Sequence, residues 1–345
     1  VYARRLAQAL WALPEARADE LLVLEAARST APVAPGARRR PLHTPSHHRW
    51  EQLLLPLELL PRRLDVLHST DFIPPFVRRC RSVITVHDLA FLRWPEHLTA
   101  DSRRYFNGQI ARAVKSADAI VAVSQATKRD LVELAGAPAE KITVVYEAPG
   151  FDLQPIDRAL AAGWLSEHGL PADYFLFVGT FEPRKNLPRL IEAFTLVRER
   201  GYRGKLLLAG SPGWLAEPIL EAVRQHPEDV LIRELDPTEL PYLYGGARAL
   251  AWPTTYEGFG LPVVEAMACG TPVLTSNVSS LPEIAGEAAL LVDPGDVEAI
   301  ASGLRRLAED DGLRGELSAK GLARAAGFSW ERAARETLDV YHRLT

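Results

Sequence analysis

Short apolar runs separated by longer amphipathic stretches set the rhythm of this chain. In the first half, Leu21 to Leu24, Ser82 to Val86, Ala119 to Val123 and Ile142 to Val145 are β-branched or leucine-rich, with helical patterns between them. The alternation predicts parallel strands joined by helices. It restarts with Tyr174 to Val178, Lys205 to Ala209, Val230 to Ile232, Ala249 to Trp252, Pro272 to Thr275 and Ala289 to Val292. After Asn186 the apolar residues Leu187, Leu190, Ile191, Phe194 and Val197 recur at helical spacing, with Arg189, Glu192 and Arg198 between them, the signature of a helix packed on a sheet. Two doubly wound α/β units of the Rossmann type are predicted.

The pattern breaks between Glu147 and Ala172, where Ala148, Pro149 and Gly150 interrupt it. We therefore assign residues 1–150 to a first unit, 151–172 to a linker with a short helix from Leu160 to His168, 173–327 to a second unit and 328–345 to a terminal helix. The Pro/Arg/His-rich stretch 34–49 reads as a long surface loop. Tyr2 to Leu10 already reads as an amphipathic helix, so a doubly wound unit leads us to expect a preceding strand and turn that this sequence does not contain.

The length of 345 residues accommodates two domains of ~150 to 170 residues, and two such domains imply a cleft. No apolar run approaches the ~20 residues that span a bilayer. A formal net charge of -4 argues against an electrostatic grip on long nucleic acid. The two cysteines, Cys80 and Cys269, have no metal-binding spacing and read as buried thiols in a reducing compartment. With no secretory pattern at the start, a cytoplasmic location is expected.

Two segments carry candidate chemistry. In Val178-Gly179-Thr180-Phe181-Glu182-Pro183-Arg184-Lys185-Asn186, a strand ends in a glycine turn with two cations and then opens a helix. Arg184 can fork onto phosphate oxygens and Lys185 can add a mobile charge, while Asn186 and Pro188 suit a helix start. On this segment alone, a solvated Arg-Lys pair is an equal reading. In the second segment, Tyr256 to Ala266, Glu257 and Glu265 stand eight apart around Gly258-Phe259-Gly260-Leu261. The glycines let the backbone approach a ligand, and Pro262 begins a helix whose amides favour an anion. Glu265 falls one turn into that helix, within reach of two ribose hydroxyls, and Glu257 lies on the loop facing a sugar. For either acid alone, surface or capping roles are more common; together they point to a nucleotide diphosphate.

From Tyr174 to Asp296 the sequence resembles the donor-binding domain of glycosyltransferase family 4. Glu257 and Glu265 match its E-x7-E motif, and Gly179, Arg184 and Lys185 its phosphate-binding turn. Cys269-Gly270-Thr271-Pro272-Val273, Ser280-Leu281-Pro282-Glu283 and Asp293-Pro294 continue the match. In the first half, Asp65-Val66-Leu67-His68-Ser69, Val86-His87-Asp88-Leu89, Ser116-Ala117-Asp118 and Val123-Ser124 extend it.

The resemblance implies the GT-B fold and transfer from a nucleotide diphosphate sugar with retention of configuration and without a metal or other cofactor. It implies that His87, at the carboxyl end of a strand, contacts the donor sugar or stabilises charge at the reacting centre. Asp88 would orient His87 or cap the following turn, and His68 would touch the acceptor or simply pack. The phrase around His87 with Trp94-Pro95-Glu96 is similar to mannosyltransferase members, which favours GDP-mannose; UDP- and dTDP-sugars stay open. The acceptor would be a saccharide or a lipid-linked one. Independently of the resemblance, the helix from Arg103-Arg104-Tyr105-Phe106 to Lys115 mixes cations with Tyr105, Phe106 and Ile110 on one face and would suit peripheral contact with the inner face of a membrane, although such a helix more often packs on the sheet. Where many relatives have Asn-Gly, Tyr146-Glu147-Ala148-Pro149 is expected to alter the hinge more than the chemistry. The terminal segment from Phe328 resembles a helix that crosses back to the first unit. A nicotinamide dehydrogenase would need a Gly-x-Gly-x-x-Gly turn that is not present. A non-catalytic sugar-nucleotide binder would keep Arg184, Lys185 and Glu265 without needing His87 and Glu257.

Overall fold

A computed structural model of the chain describes residues 1–28, 33–34, 36–45, 50–97 and 100–345, the side chains at 97 and 100–105 excepted. The chain divides into two compact units, one formed by Val1–Gly150 with Ser329–Thr345 and the other by Phe151–Phe328.

The first unit carries strands β1 (Leu22–Ala26), β2 (Arg38–Leu42), β3 (Val66–Ser69), β4 (Arg81–Val86), β5 (Ala119–Ala122) and β6 (Ile142–Val144). β3 to β6 form a parallel sheet in sequence order, and β1 and β2 pair separately, also parallel. β2 lies inside the stretch expected to be a surface loop. Its residues are Arg-Arg-Arg-Pro-Leu, with no apolar alternation to reveal a strand; backbone pairing with β1 and ion pairs from Arg38 to Glu20 and Arg39 to Glu25 hold it instead. The rest of that stretch at 35 and 46–49 lies outside the described residues.

The helix Ala100–Ser116 buries Ile110, Ala113 and Val114 in the core with Ile84, Val86 and Ile120. Phe106 packs there against Phe72 and Phe91. Its described apolar residues therefore face the sheet, the packing reading of this helix and not the lipid-docking one; the side chains of Arg103, Arg104 and Tyr105 lie outside the described residues. The terminal helix Trp330–His342 belongs to this unit. One side of it joins Ala334 and Leu338 to Leu6, Leu10 and Leu13, and another presses Ala333 and Val340 on Val83, Val121 and Val145.

In the second unit, β7 (Tyr174–Val178), β8 (Lys205–Ala209), β9 (Val230–Arg233), β10 (Ala249–Trp252), β11 (Val273–Ser276) and β12 (Leu290–Val292) form one parallel sheet in the order β12-β11-β10-β7-β8-β9. The chain runs outward from β7 to β9, returns to β10 beside β7, and runs outward on the other side. The winding therefore reverses between β7 and β10. At such a switch point the loops after the two central strands diverge and leave a crevice at the strands' carboxyl ends. β7 is buried at every residue because helices cover both faces, among them Leu187–Glu199 through Leu187, Leu190, Ile191, Phe194 and Val197. The helix Arg158–Glu167, in the stretch read as a linker, is part of this unit.

Candidate functional site

Both segments singled out for chemistry lie at that switch point. Gly179, with φ +140°, turns the chain out of β7, and a Cβ placed on Gly210 of the neighbouring loop would meet the Gly179 carbonyl oxygen at 1.9 Å. Only glycine permits this crossing. The turn Pro183–Lys185 follows and leads into Asn186, which has left-handed backbone at φ 61°. Asn186 does not cap the next helix as expected. Its Nδ2 instead donates to the carbonyls of Pro253 at 2.9 Å and Pro294 at 2.7 Å, and the Thr255 amide donates to the Arg184 carbonyl at 2.9 Å. The loops after β7 and β10 are thereby tied together.

This tie brings four charges into contact. Lys185 Nζ donates to Glu257 Oε1 at 2.7 Å and Arg184 Nη1 to Glu257 Oε2 at 2.8 Å, while Arg184 Nε donates to Glu182 Oε2 at 3.0 Å. Lys185 and Glu257 are each 7% exposed. Lys185 also sits 4.6 Å from the centre of the buried Trp252 ring, whose indole N–H donates to the Val178 carbonyl at 2.9 Å. An ion pair at 4 Å is worth about 4 kcal/mol at an effective dielectric of 20, before desolvation. Burial disfavours the Glu257 carboxylate, but Arg184 and Lys185 outweigh it and hold its pKa below the ordinary value. For Glu182 burial wins and the pKa rises. Burial lowers the pKa of Lys185, with Glu257 acting against it. Glu257 is thus the firm anion of the group and Glu182 the acid nearer to protonation.

The loop after β10 is fastened from behind. Ser280 Oγ donates to the Glu257 and Phe259 carbonyls, both at 2.9 Å, and Ser279 Oγ accepts from the Glu257 amide at 3.0 Å. Gly260, with φ +108°, lies 2.8 Å from Leu281 at its Cβ position and precedes the helix Leu261–Ala268. Glu265 stands in that helix, 5% exposed, and accepts a hydrogen bond at 3.1 Å from Tyr244. Burial, with the charge of Glu265, keeps the Tyr244 hydroxyl protonated far above its usual range.

His87 belongs to the first unit and follows β4. Its Nδ1 lies 2.9 Å from Glu147 Oε1 and its Nε2 3.1 Å from the Thr70 carbonyl. Tyr2 meets the ring edge-on at 4.7 Å. Asp88 accepts from the Ala90 amide at 2.9 Å, two residues on, in the turn that leads into Ala90–Arg93. His68 is held at both nitrogens, by Tyr341 at 2.6 Å and Thr85 at 2.7 Å, and burial followed by the charge of His87 lowers its pKa to about 3. It is a neutral histidine that links β3 to the terminal helix.

The profile of "Glycosyltransferase Family 4" matches residues 2–153, and that of "Glycosyl transferases group 1" matches 166–324. The O-antigen chain mannosyltransferase B of Escherichia coli is 38% identical over 284 residues, covering 81% of this chain and 74% of that protein. The chain belongs to glycosyltransferase family 4. The serotype-specific mannosyltransferase WbdA of Escherichia coli is 30% identical over 76% of this chain, which spans 34% of that longer protein. A sucrose-phosphate synthase from Thermosynechococcus elongatus shares the fold, with a TM-score of 0.80 at 21% identity over 99% of this chain and 92% of that one. The fold of the glycosyltransferase is thus GT-B.

The structure of this glycosyltransferase brings Gly179, Arg184, Lys185, Glu257, Gly258, Phe259, Gly260, Leu261 and Glu265 to one sheet edge. Sequence reasoning missed Glu182, Trp252, Tyr244 and Glu147. Glu257, expected to face a sugar, pairs with both cations in this structure. Glu147, expected to matter for the hinge, grips His87. The signal for Glu147 was present: an acid stood at an unusual place, but nothing along the chain said what it touched.

Proposed function

We propose that this glycosyltransferase moves a mannosyl group from GDP-mannose to a saccharide or lipid-linked saccharide, with retention of configuration and without a metal. The observation that supports it most is the pairing of Arg184 and Lys185 with Glu257 at the switch point. The donor diphosphate replaces the Glu257 carboxylate on these cations and lies against the Gly258 to Leu261 backbone at the helix start. Glu257, released, accepts from sugar hydroxyls, and Glu265 accepts from the ribose. As the bond from the anomeric carbon to the phosphate oxygen breaks, the acceptor oxygen bonds to that carbon on the same face and its proton passes to the departing phosphate. The cations and His87 oppose the charge that grows on the leaving group. Two relatives that are mannosyltransferases support the choice of a mannosyl donor.

No described helix is long and apolar enough to cross a membrane. For a lipid-linked acceptor, we place peripheral contact on the helix Glu51–Leu59, where Leu53, Leu54 and Leu57 are 59%, 46% and 62% exposed and exposed Arg63 follows. Apolar side chains with a cation at their border suit an anionic headgroup layer.

Calorimetric titration with GDP, UDP and dTDP in EDTA tests the donor reading. GDP should bind saturably, and Arg184→Ala with Lys185→Ala should abolish binding. Turnover of GDP-mannose in EDTA should give a product whose one-bond carbon–proton coupling at the anomeric centre matches the donor's. Binding of UDP or dTDP alone would replace the donor; binding of none, or dependence on added Mg2+, would overturn the scheme.

A further inference from the structure

His87 is held by two acceptors. A backbone carbonyl has no proton to give, and the buried carboxylate of Glu147 accepts as well, so both contacts are hydrogen bonds only when each ring nitrogen carries its own hydrogen. That state is the imidazolium. A neutral ring would turn a nitrogen lone pair toward an oxygen lone pair at 2.9 or 3.1 Å. The charged and titratable groups around the ring fit this assignment: Glu147 on the loop after β6, Asp71 on the loop after β3, neutral His68 at the end of β3, and Tyr2 edge-on from the first helix. Burial works against the charge on His87, but Glu147, helped by the Thr70 carbonyl and Asp71, outweighs it and raises the pKa.

We propose that Glu147 is a positioning residue that keeps His87 a cation with its ring fixed, and so sets the upper pH limit of sugar transfer. The inference rests on the reading that His87 serves the reacting centre. The charge-assisted bond from Nδ1 to the carboxylate is the stronger of the two and fixes the ring, so the Nε2–H, bonded to a neutral carbonyl, is the donor that a ligand oxygen can take over. A ring protonated at both nitrogens has no lone pair for a proton. It cannot take the acceptor's proton, which leaves the departing phosphate to do so, and it opposes the negative charge forming there.

The test is a pH titration of the His87 ring by NMR in protein carrying labelled histidine, for wild type, Glu147→Gln and Glu147→Asp, beside the pH profile of kcat with GDP-mannose. His87 should titrate above the ordinary ~6.5 in the wild type. Glu147→Gln should lower the midpoint by about one unit or more and move the basic limb of kcat by the same amount, with Glu147→Asp restoring part of both. An unchanged midpoint in Glu147→Gln overturns the proposal, as does a midpoint that moves while the rate profile stays. Failure of the donor reading has a different signature, in which no nucleotide binds while the NMR shift is intact.

Discussion

At Glu257, two cations have one carboxylate as their shared counter-ion, and the charges decide what its replacement does. Glu257→Gln keeps the shape but takes the carboxylate that Arg184 and Lys185 share away from them, with Glu182 still bound to Arg184. We expect GDP to bind about fivefold tighter or more, since one unit charge at 4 Å is worth at least ~1 kcal/mol even in water. Turnover should nevertheless fall roughly tenfold or more, because tighter binding of the diphosphate alone does not stabilise the sugar's transition state. Weaker GDP binding in the variant would refute the counter-ion exchange. The same residue predicts a pH effect on stability. Folding lowers its pKa, so the stability it contributes is present above the unfolded pKa and is lost as pH falls through the lower, folded one. The gap in unfolding free energy between wild type and Glu257→Gln should therefore be full at pH 6 and shrink below pH ~4; a gap unchanged down to pH 3 would show that the carboxylate is not selectively ionised. The spacing of the two acids around glycines made this residue legible in the sequence. Its partners were not, because residues some 72 positions apart meet only through the switch in strand order.

Among the elements, the loops after β7 and β10 are joined by Asn186, beside the Thr255 amide and the ion pairs to Glu257. Asn186→Ala removes both Nδ2 bonds and leaves two buried carbonyls unpaired, each costing ~1–3 kcal/mol. It also puts alanine at φ 61°, a further ~1 kcal/mol. Asn186→Gly loses the bonds without that strain. Urea midpoints should therefore rank wild type above Asn186→Gly above Asn186→Ala, with a total loss of about 3 kcal/mol or more for alanine, and GDP affinity should drop in both as the loops part. Equal stability of Asn186→Ala and wild type would show that the Thr255 bond and the ion pairs to Glu257 hold the loops without Asn186. The elements themselves were largely readable, since β4, β5 and β7 to β12 are apolar runs between amphipathic helices. β2 was not readable, because a strand made of arginines carries no periodic signal and exists through its backbone pairing with β1. Asn186 was read as a helix start from its type; its true partners required the fold.

On the scale of the whole molecule, two surfaces decide how the chain behaves. The exposed leucines of Glu51–Leu59 should bring the protein down with vesicles containing phosphatidylglycerol, less with pure phosphatidylcholine, and not after Leu53→Glu with Leu57→Glu; sedimentation indifferent to those changes would move the lipid contact elsewhere. The covered surface is that of the terminal helix. Though last in sequence, Trp330–His342 completes the core of the first unit, and its Tyr341 also binds His68. Burial of Leu338 and Val340 alone contributes about 3–6 kcal/mol, a large part of the ~5–15 kcal/mol that stabilises a domain. A chain ending at Phe328 should therefore lose cooperative unfolding of its first unit, uncovering Leu6, Leu10, Val83, Val121 and Val145. The second unit lacks nothing of its own in such a chain, so GDP should still bind near wild-type affinity while transfer is lost. Two separated thermal transitions, with only the upper one raised by GDP, would be the calorimetric record of that division. A single transition at the wild-type temperature would mean that the first unit holds together without the helix, and that its packing on Leu6 and Val121 contributes far less than its burial indicates.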